Sequence, residues 1–273
     1  MEIKKLLKPY NDTHSIKEVV FALYFAQLVE DFTSWEKLQS KMHLKSFDKL
    51  EKLSGIKYIF NSKDLDMKPE DSGRIGLVWK KSHDTSSIKQ LLQLRNLDAQ
   101  GQCILSFHEL GYIRWANFKE EYLNILNDIC SEKIISDIPV SALNLTYIDE
   151  FSWIDDSPIQ LNKIFKEKSS YLSEYFFRSH FPSIEIAAMI NKEDSNEFLT
   201  ERLLIDIQQT LPYTTIVITH TIASSLEKTQ PLAEFYKHSI DEYLENTHTY
   251  NKTTLSNLLT DEVQSLIQLP KTL

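Results

Sequence analysis

Glycine is scarce in this chain, with five residues among 273: Gly55, Gly73, Gly76, Gly101 and Gly111. Their spacing contains neither the GxGxxG pattern of dinucleotide-binding folds nor the GxxxxGK[ST] pattern of phosphate-binding loops. A backbone cradle for phosphate groups of the usual kind is therefore excluded. The sequence predicts no nucleotide cofactor, and it indicates no cofactor of another kind.

Cysteine is scarcer still, and Cys103 and Cys130 are the only two cysteines in the sequence. One falls in a predicted strand and the other in a predicted helix, which favours two reduced core thiols over a disulfide. The cysteines and histidines form no CxxC or HExxH motif, so we expect no metal site of these kinds. The GxSxG motif of serine hydrolases is also missing, and we predict no catalytic residue.

Long apolar runs are absent too. No stretch approaches the roughly 18 apolar residues that a membrane-spanning helix needs, and residues 1–8 lack the apolar core of a signal peptide. These features predict a soluble, cytoplasmic protein without a membrane partner. With 42% hydrophobic residues, the chain can bury a core for one large domain or two small ones.

The order of the predicted elements is the most informative feature that the sequence does have. Apolar runs and alternations predict strands at 18–25, 90–96, 102–108 and 140–148. Helices are predicted to begin near Thr33, running toward Ser54 and Gly55, and near Asn117. This β-α-β-β-α-β order predicts a ferredoxin-like lobe, with one antiparallel sheet and both helices on the same face.

The rest of the chain predicts a second α+β lobe. Strands are expected at 184–190, 198–207 and 214–223, and a long helix after Pro231 is followed by a shorter one. We therefore predict an α+β protein of two lobes packed against each other without a flexible linker. The lobes are residues 1–151 and residues 152–273.

Several segments, taken in order, resemble a known family: residues 15–25, 91–95, 112–118, 138–149 and 204–207 with the helices that follow. The family is a sporadically distributed group of bacterial proteins of about this size, without an assigned function. The resemblance covers most of the chain and implies a setting among mobile-element or phage-defence genes. The chain departs from the family pattern in two places. Its first strand lacks a proline-rich entry, and residues 142–145 stand where an arginine-containing strand is common.

Five lysines at near-helical spacing form the most distinctive charge pattern: Lys37, Lys41, Lys45, Lys49 and Lys52. On a helix they would make a ridge along one side, a local exception in a protein of net charge −9. Such a ridge favours an acidic partner or phosphate groups, and we consider nucleic-acid binding possible only through this ridge. The alternative is a solvated helix face that keeps the protein soluble.

Other polar residues are weaker candidates. One group is acidic and fits either a solvated loop or a divalent-cation site: Asp149, Glu150, Asp155 and Asp156. Asp206 interrupts an apolar strand and needs a partner or an exposed face, and Arg95 is a candidate partner. His220 lies in a predicted strand, where packing and one hydrogen bond are a commoner role than catalysis.

These patterns together predict a non-enzymatic binding or scaffold protein that acts with a macromolecular partner. We expect a protein partner, encoded by a neighbouring gene of the defence setting that the resemblance implies. The alternative is a metal-dependent enzyme that acts on nucleic acid or a nucleotide through Asp206 and the acids between residues 149 and 156. The sequence leaves the oligomeric state open.

Overall fold

A computed structural model describes residues 2–41, 43–61, 66–82, 87–97, 100–179, 183–191, 198–210 and 213–269. Over these residues the protein is α+β, with a large antiparallel sheet and helices toward the C-terminal end of the chain. No helix in this described part of the chain is both long and apolar enough to cross a membrane.

The strands are, in chain order, β1 (Leu7–Pro9), β2 (Ile16–Phe25), β3 (Lys49–Asn61), β4 (Asp66–Ser82), β5 (Ile88–Leu97), β6 (Gln102–Glu109), β7 (Pro139–Trp153), β8 (Ser183–Asn191), β9 (Phe198–Thr210) and β10 (Tyr213–Pro231). The α-helices are α1 (Phe32–Lys37), α2 (Trp115–Cys130), α3 (Lys133–Ser136), α4 (Leu161–Ile164), α5 (Glu174–Arg178), α6 (Leu232–His238), α7 (Ile240–Leu258) and α8 (Asp261–Leu266). Short 3-10 turns lie at Ile3–Lys5, Leu38–Ser40 and Leu44–Ser46.

The chain divides into two compact units, each assembled from separate stretches. Unit 1 comprises Met1–Val20, Asn144–Ser225 and Asp241–Leu273, and unit 2 comprises Phe21–Leu143 and Leu226–Ile240. The predicted boundary between residues 151 and 152 falls inside unit 1. The reason is that β2, β7 and β10 each contribute residues to both units, so no single cut in the sequence separates them.

The strands of unit 2 are hydrogen-bonded in the order β3-β4-β5-β6-β2. Phe21 and Phe25 point to one face of β2 because they are four residues apart in a strand. Tyr122 of α2 packs edge-on against Phe21, with 4.7 Å between ring centroids, and Trp35 of α1 lies 6.1 Å from Phe25. Both helices therefore cover the same face of this strand, as the sequence predicts.

The first helix of unit 2 is much shorter than predicted. α1 ends at Lys37, and its N-cap is Asp31 rather than Thr33, because the Thr33 N–H donates to the Asp31 carboxylate at 2.9 Å. The Gln39 amide then donates to two backbone carbonyls of the following turn, at 3.2 and 2.8 Å. These bonds stabilise a compact turn where the sequence predicts continued helix.

The sequence does not predict β3 and β4, which pair with each other as a long antiparallel hairpin. In β3, Leu50, Leu53 and Ile56 recur every three residues, which is closer to a helical period than to a strand period. The pairing register shifts between Leu53 and Ser54 and again between Gly55 and Ile56, and such bulges interrupt the two-residue alternation. Because β3 and β4 lie between α1 and β5, the element order departs from the predicted ferredoxin-like order.

The strands of unit 1 are hydrogen-bonded in the order β7-β10-β9-β8, and β1 pairs with β7. The three strands predicted for the second lobe correspond to β8, β9 and β10. The long helix predicted after Pro231 is divided at Ser239 into α6 and α7. The apolar core of the unit includes Phe151, Phe165, Ile205, Ile218 and Leu258.

Both units contain a similar run of elements: a strand, one or more short helices, antiparallel strands and then a long helix. The long helix is α2 in unit 2 and α7 in unit 1. The buried face of α2 is almost wholly apolar, with Phe118, Tyr122, Ile125, Leu126 and Ile129. The buried face of α7 carries instead a run of polar residues: Thr247, His248, Asn251 and Thr254. The polar residues on the buried face of its long helix therefore distinguish unit 1 from unit 2.

Candidate functional site

The five lysines of the predicted ridge do not share a helix. Lys37 ends α1, Lys41 and Lys45 lie in the turns that follow, and Lys49 and Lys52 lie in β3. Three of them form ion pairs: Lys41 with Glu132 at 2.7 Å, Lys49 with Glu51 at 2.5 Å and Lys52 with Glu36 at 3.2 Å. The prediction that all five lysines line one side of a single helix is therefore wrong. Their role in partner binding stays a prediction.

The structure places Arg95 and Asp206 in different units. Arg95 is exposed in β5, opposite Gly76 and Ile104 of the neighbouring strands. Asp206 is half-buried in β9 and accepts a hydrogen bond from the amide of Gln208, two residues along the same strand. Gln208 therefore supplies the polar contact to Asp206 that we predicted Arg95 to supply.

The acids between residues 149 and 156 point in different directions. The alternation of β7 buries Asp149, whereas Glu150 forms an ion pair with Lys17 at 2.7 Å. Asp155 accepts the backbone N–H of Ser157 at 3.0 Å and so stabilises a turn. Over the described ranges, no three His, Cys, Asp or Glu side chains are grouped in a way that could hold a metal ion.

A polar cluster lies in the core of unit 1 around His220, which is fully buried in β10. Its Nδ1 lies 2.6 Å from Oδ1 of Asn251 in α7, and its Nε2 lies 2.9 Å from Oε1 of Glu201 in β9. Asn251 is 3% exposed and Glu201 is 5% exposed. One histidine therefore connects the long helix to two strands of the sheet.

Three hydroxyl groups of the same cluster contact the carboxylate of Glu201. Its Oε1 accepts a hydrogen bond from Thr254 at 3.0 Å, and the hydroxyls of Tyr171 and Tyr250 lie 3.4 Å from its carboxylate oxygens. Burial on its own raises the pKa of Glu201, but hydrogen bonding and charge from His220 outweigh it, so the pKa is lowered. The ionised carboxylate is thus held in the core by surrounding donors.

A second buried contact on α7 joins Tyr147 of β7 to His248, with 2.6 Å between the tyrosine oxygen and Nδ1. Burial lowers the pKa of His248 to about 3, so its imidazole is neutral at physiological pH. A neutral ring accepts at one nitrogen, and the Tyr147 hydroxyl can donate to it. His248, Asn251 and Thr254 of α7 therefore each have a polar partner on the sheet, whereas the Thr247 hydroxyl donates to carbonyls of the helix itself.

The sequence singles out His220 and Asp149 but misses their partners. Glu201, Asn251 and Thr254 come from distant positions, and each looks unremarkable in its local segment. The available signal was the spacing of Thr247, Asn251 and Thr254, which recur on the helix face that should otherwise be apolar.

Asp149 is a buried acid at the margin of this cluster, with 1% of its surface exposed. The Ser15 hydroxyl donates to its Oδ1 at 2.6 Å. Burial raises the pKa of Asp149 from 3.8 to about 6, although the Ser15 hydrogen bond and the charge of His220 act in the opposite direction. The protonated form of Asp149 is therefore more favourable in the folded protein than in the unfolded chain.

We expect Asp149→Asn to remove a pH-dependent part of the stability. A folded pKa above the unfolded one adds stability below pH 3.8 that is lost as the pH rises through about 6. The parent should lose about 2–3 kcal/mol more than the variant between pH 4 and pH 8, at 1.36 kcal/mol per pKa unit. Denaturant unfolding at both pH values measures this, with the exposed Asp156→Asn as control. Equal pH dependence in parent and Asp149→Asn would contradict the assignment.

Strand β8 is the edge of the sheet in unit 1, and among the described strands it is hydrogen-bonded to β9 alone. Its side chains alternate: Ser183, Glu185 and Ala187 are exposed, whereas Ile184, Ile186 and Ala188 are half-buried. Ile184 and Ile186 pack against the apolar core of the unit. The outer side of β8 therefore presents backbone N–H and C=O groups beside an apolar stripe.

Over its described side chains, residues 183–188, β8 carries few of the devices that usually protect a sheet edge. The edge strand of unit 2, β3, carries Lys49, Glu51 and Lys52 and two register shifts, which are typical protections. Between residues 183 and 188, β8 carries one charge, Glu185, whose carboxylate accepts a hydrogen bond from Arg202 at 2.6 Å. Its register with β9 continues without a shift over nine residue pairs. The contrast indicates that β8 is suited to strand pairing.

A groove of about 830 Å³ opens close to the beginning of β8. Arg178 and Ser179, which precede the strand, line one part of it, and Gln209 and Tyr213 line another. Gln209 lies three residues beyond Asp206, the partner of Ser183 in β9. The groove and the edge are therefore neighbouring features of unit 1.

Comparisons with known proteins leave the family unassigned. No protein-family model matches the chain, and no curated protein matches it. One solved structure that it matches is the crystal structure of the di-domain ARO/CYC StfQ from the steffimycin biosynthetic pathway. The identity is 9%, over 92% of this chain and 97% of that chain, and the TM-score is 0.21. A similarity of that size carries no argument about fold or function.

Proposed function

We propose that the chain is a non-enzymatic binding protein that takes up an extended segment of a macromolecular partner along β8. The observation that carries this proposal is the unprotected edge of β8, with its single charge already paired to Arg202. A docked strand would receive backbone hydrogen bonds from β8, and the half-buried Ile184 and Ile186 would give side-chain selectivity.

The proposed partner is a protein. A polypeptide offers N–H and C=O groups at the spacing of a sheet edge, which neither a nucleic acid nor a small metabolite does. The groove beside β8 gives room for residues of the partner beyond the paired segment. A neighbouring mobile-element or defence gene as the source of this partner rests on the family resemblance alone.

Peptides selected from a random display library test this proposal, because such a selection does not require the partner to be identified. We expect extended, apolar peptides that bind the parent and bind Ile186→Lys at least about tenfold more weakly, a difference of about 1.4 kcal/mol. The lysine side chain of this variant can reach solvent at a free edge, but a docked strand would cover its charge on the half-buried face. Fluorescence anisotropy with labelled peptides measures the affinity.

The matched control is Ile186→Ala, which removes the same apolar contact without adding a charge. We expect it to weaken peptide binding less than Ile186→Lys does, by a factor of less than about ten, because backbone pairing remains and one apolar contact is lost. Melting temperatures of both variants establish that they fold. Selected peptides that bind all three proteins equally, or a library that yields no binder, would overturn the proposed function.

A further inference from the structure

The edge of β8 has a geometry that fits its own copy. An antiparallel strand edge presents the same alternation of donors and acceptors in either direction, so a two-fold axis perpendicular to the sheet brings two such edges into pairing. This axis also keeps the core-facing side of both strands on the same side of the joined sheet. We propose that the segment bound at β8 is β8 of a second copy of this chain, an inference that rests on the proposed function.

The alternation of β8 restricts the register of such a pair. Directly opposite residues in an antiparallel pair point to the same face, so half-buried residues must lie opposite half-buried residues. A two-fold axis at Ile186 meets this condition, because it places Ile186 opposite its own copy and Ile184 opposite Ala188. An axis at Ala187 meets it as well. An axis between the two residues would place Ile186 opposite the exposed Ala187 and is excluded.

The charges of β8 permit this pairing. With the axis at Ile186, Glu185 of each copy lies opposite Ala187 of the other, so two like charges do not face each other. Glu185 also keeps its own counter-charge, because the Arg202 side chain contacts it within the same copy at 2.6 Å. The small Ala187 and Ala188 leave room on the two faces of the joined sheet for Glu185 and Ile184, the side chains opposite them.

The apolar face favours closure of the pair. Ile184 and Ile186 are half-buried and pack against the core of unit 1, so part of each side chain is still open to solvent. The second copy would cover that part with the same residues and continue the apolar layer across the axis. With the axis at Ile186, residues 183–189 pair with their copies, which gives a paired segment about 23 Å long.

Analytical ultracentrifugation of the full chain at several micromolar concentrations tests the inference. We expect a concentration-dependent species of twice the 31.9 kDa chain mass. Ile186→Lys should be monomeric throughout, because two lysines would meet on the covered face. Ile186→Ala should still form the dimer, and selected edge-binding peptides should dissociate it.

The other outcomes separate this inference from the function on which it rests. A monomeric parent that still binds the selected peptides in an Ile186→Lys-sensitive way would overturn the second copy as partner and leave the proposed function standing. A monomeric parent that binds no peptide would overturn both. A dimer that Ile186→Lys does not disrupt would place self-association on another surface and overturn the inference.

Discussion

Replacing Glu201 with Ala should lower the free energy of unfolding by about 1–3 kcal/mol for each buried donor that loses its acceptor. His220 is fully buried and would lose the acceptor at its Nε2, while Thr254 would lose the acceptor of its hydroxyl. The methyl group of alanine offers neither of these donors a replacement. Denaturant unfolding followed by circular dichroism measures the effect.

Two further variants distinguish the effect of the buried contacts of Glu201 from the effect of removing any glutamate. Glu174→Ala removes an acid that pairs with Arg178 at the surface, where both side chains are more than 70% exposed. It should cost less than about 1 kcal/mol. Glu201→Gln keeps an acceptor for His220 and should cost clearly less than Glu201→Ala. Equal stability of Glu201→Ala and Glu174→Ala would show that the cluster contributes nothing to the fold.

Local sequence patterns predicted the strands whose residues alternate regularly or form a continuous apolar run. β2, β5, β6 and β7 alternate or run apolar over their whole length, and the structure places strands at all four predicted positions. β3 was not predicted as a strand, because its bulges shift the alternation and leave Leu50, Leu53 and Ile56 at a helix-like spacing. Lysines spaced by three and four residues then strengthened the wrong period. Pairing with β4, a contact that no local window contains, decides the outcome.

The candidate sites show the same limit at longer range. His220 could be noticed as a lone strand histidine, but its environment depends on residues between Tyr171 and Thr254 that only the fold brings together. The edge position of β8 was equally hidden. Its sequence alternates like that of a half-buried strand, and the order of strands in a sheet determines whether such a strand is central or at the margin.

Replacing Phe21 with Ala should cost about 3–5 kcal/mol, the range for truncating a buried phenylalanine. Phe21 has no exposed surface, and its ring meets that of Tyr122 at 4.7 Å between centroids. The cavity would open between β2 and α2, the long helix of unit 2. A loss of this size is a large part of the stability of a typical domain, so we also expect most of the expressed variant to be insoluble.

Tyr175→Ala is the matched control, because this aromatic side chain is 78% exposed and its removal opens no cavity. It should change the free energy of unfolding by less than about 0.5 kcal/mol. Soluble yield and denaturant unfolding of the two variants, prepared side by side, give the comparison. A Phe21→Ala protein as soluble and as stable as Tyr175→Ala would mean that β2 and α2 close around the missing ring. In that case the contact of β2 with α2 would not be a principal source of stability in unit 2.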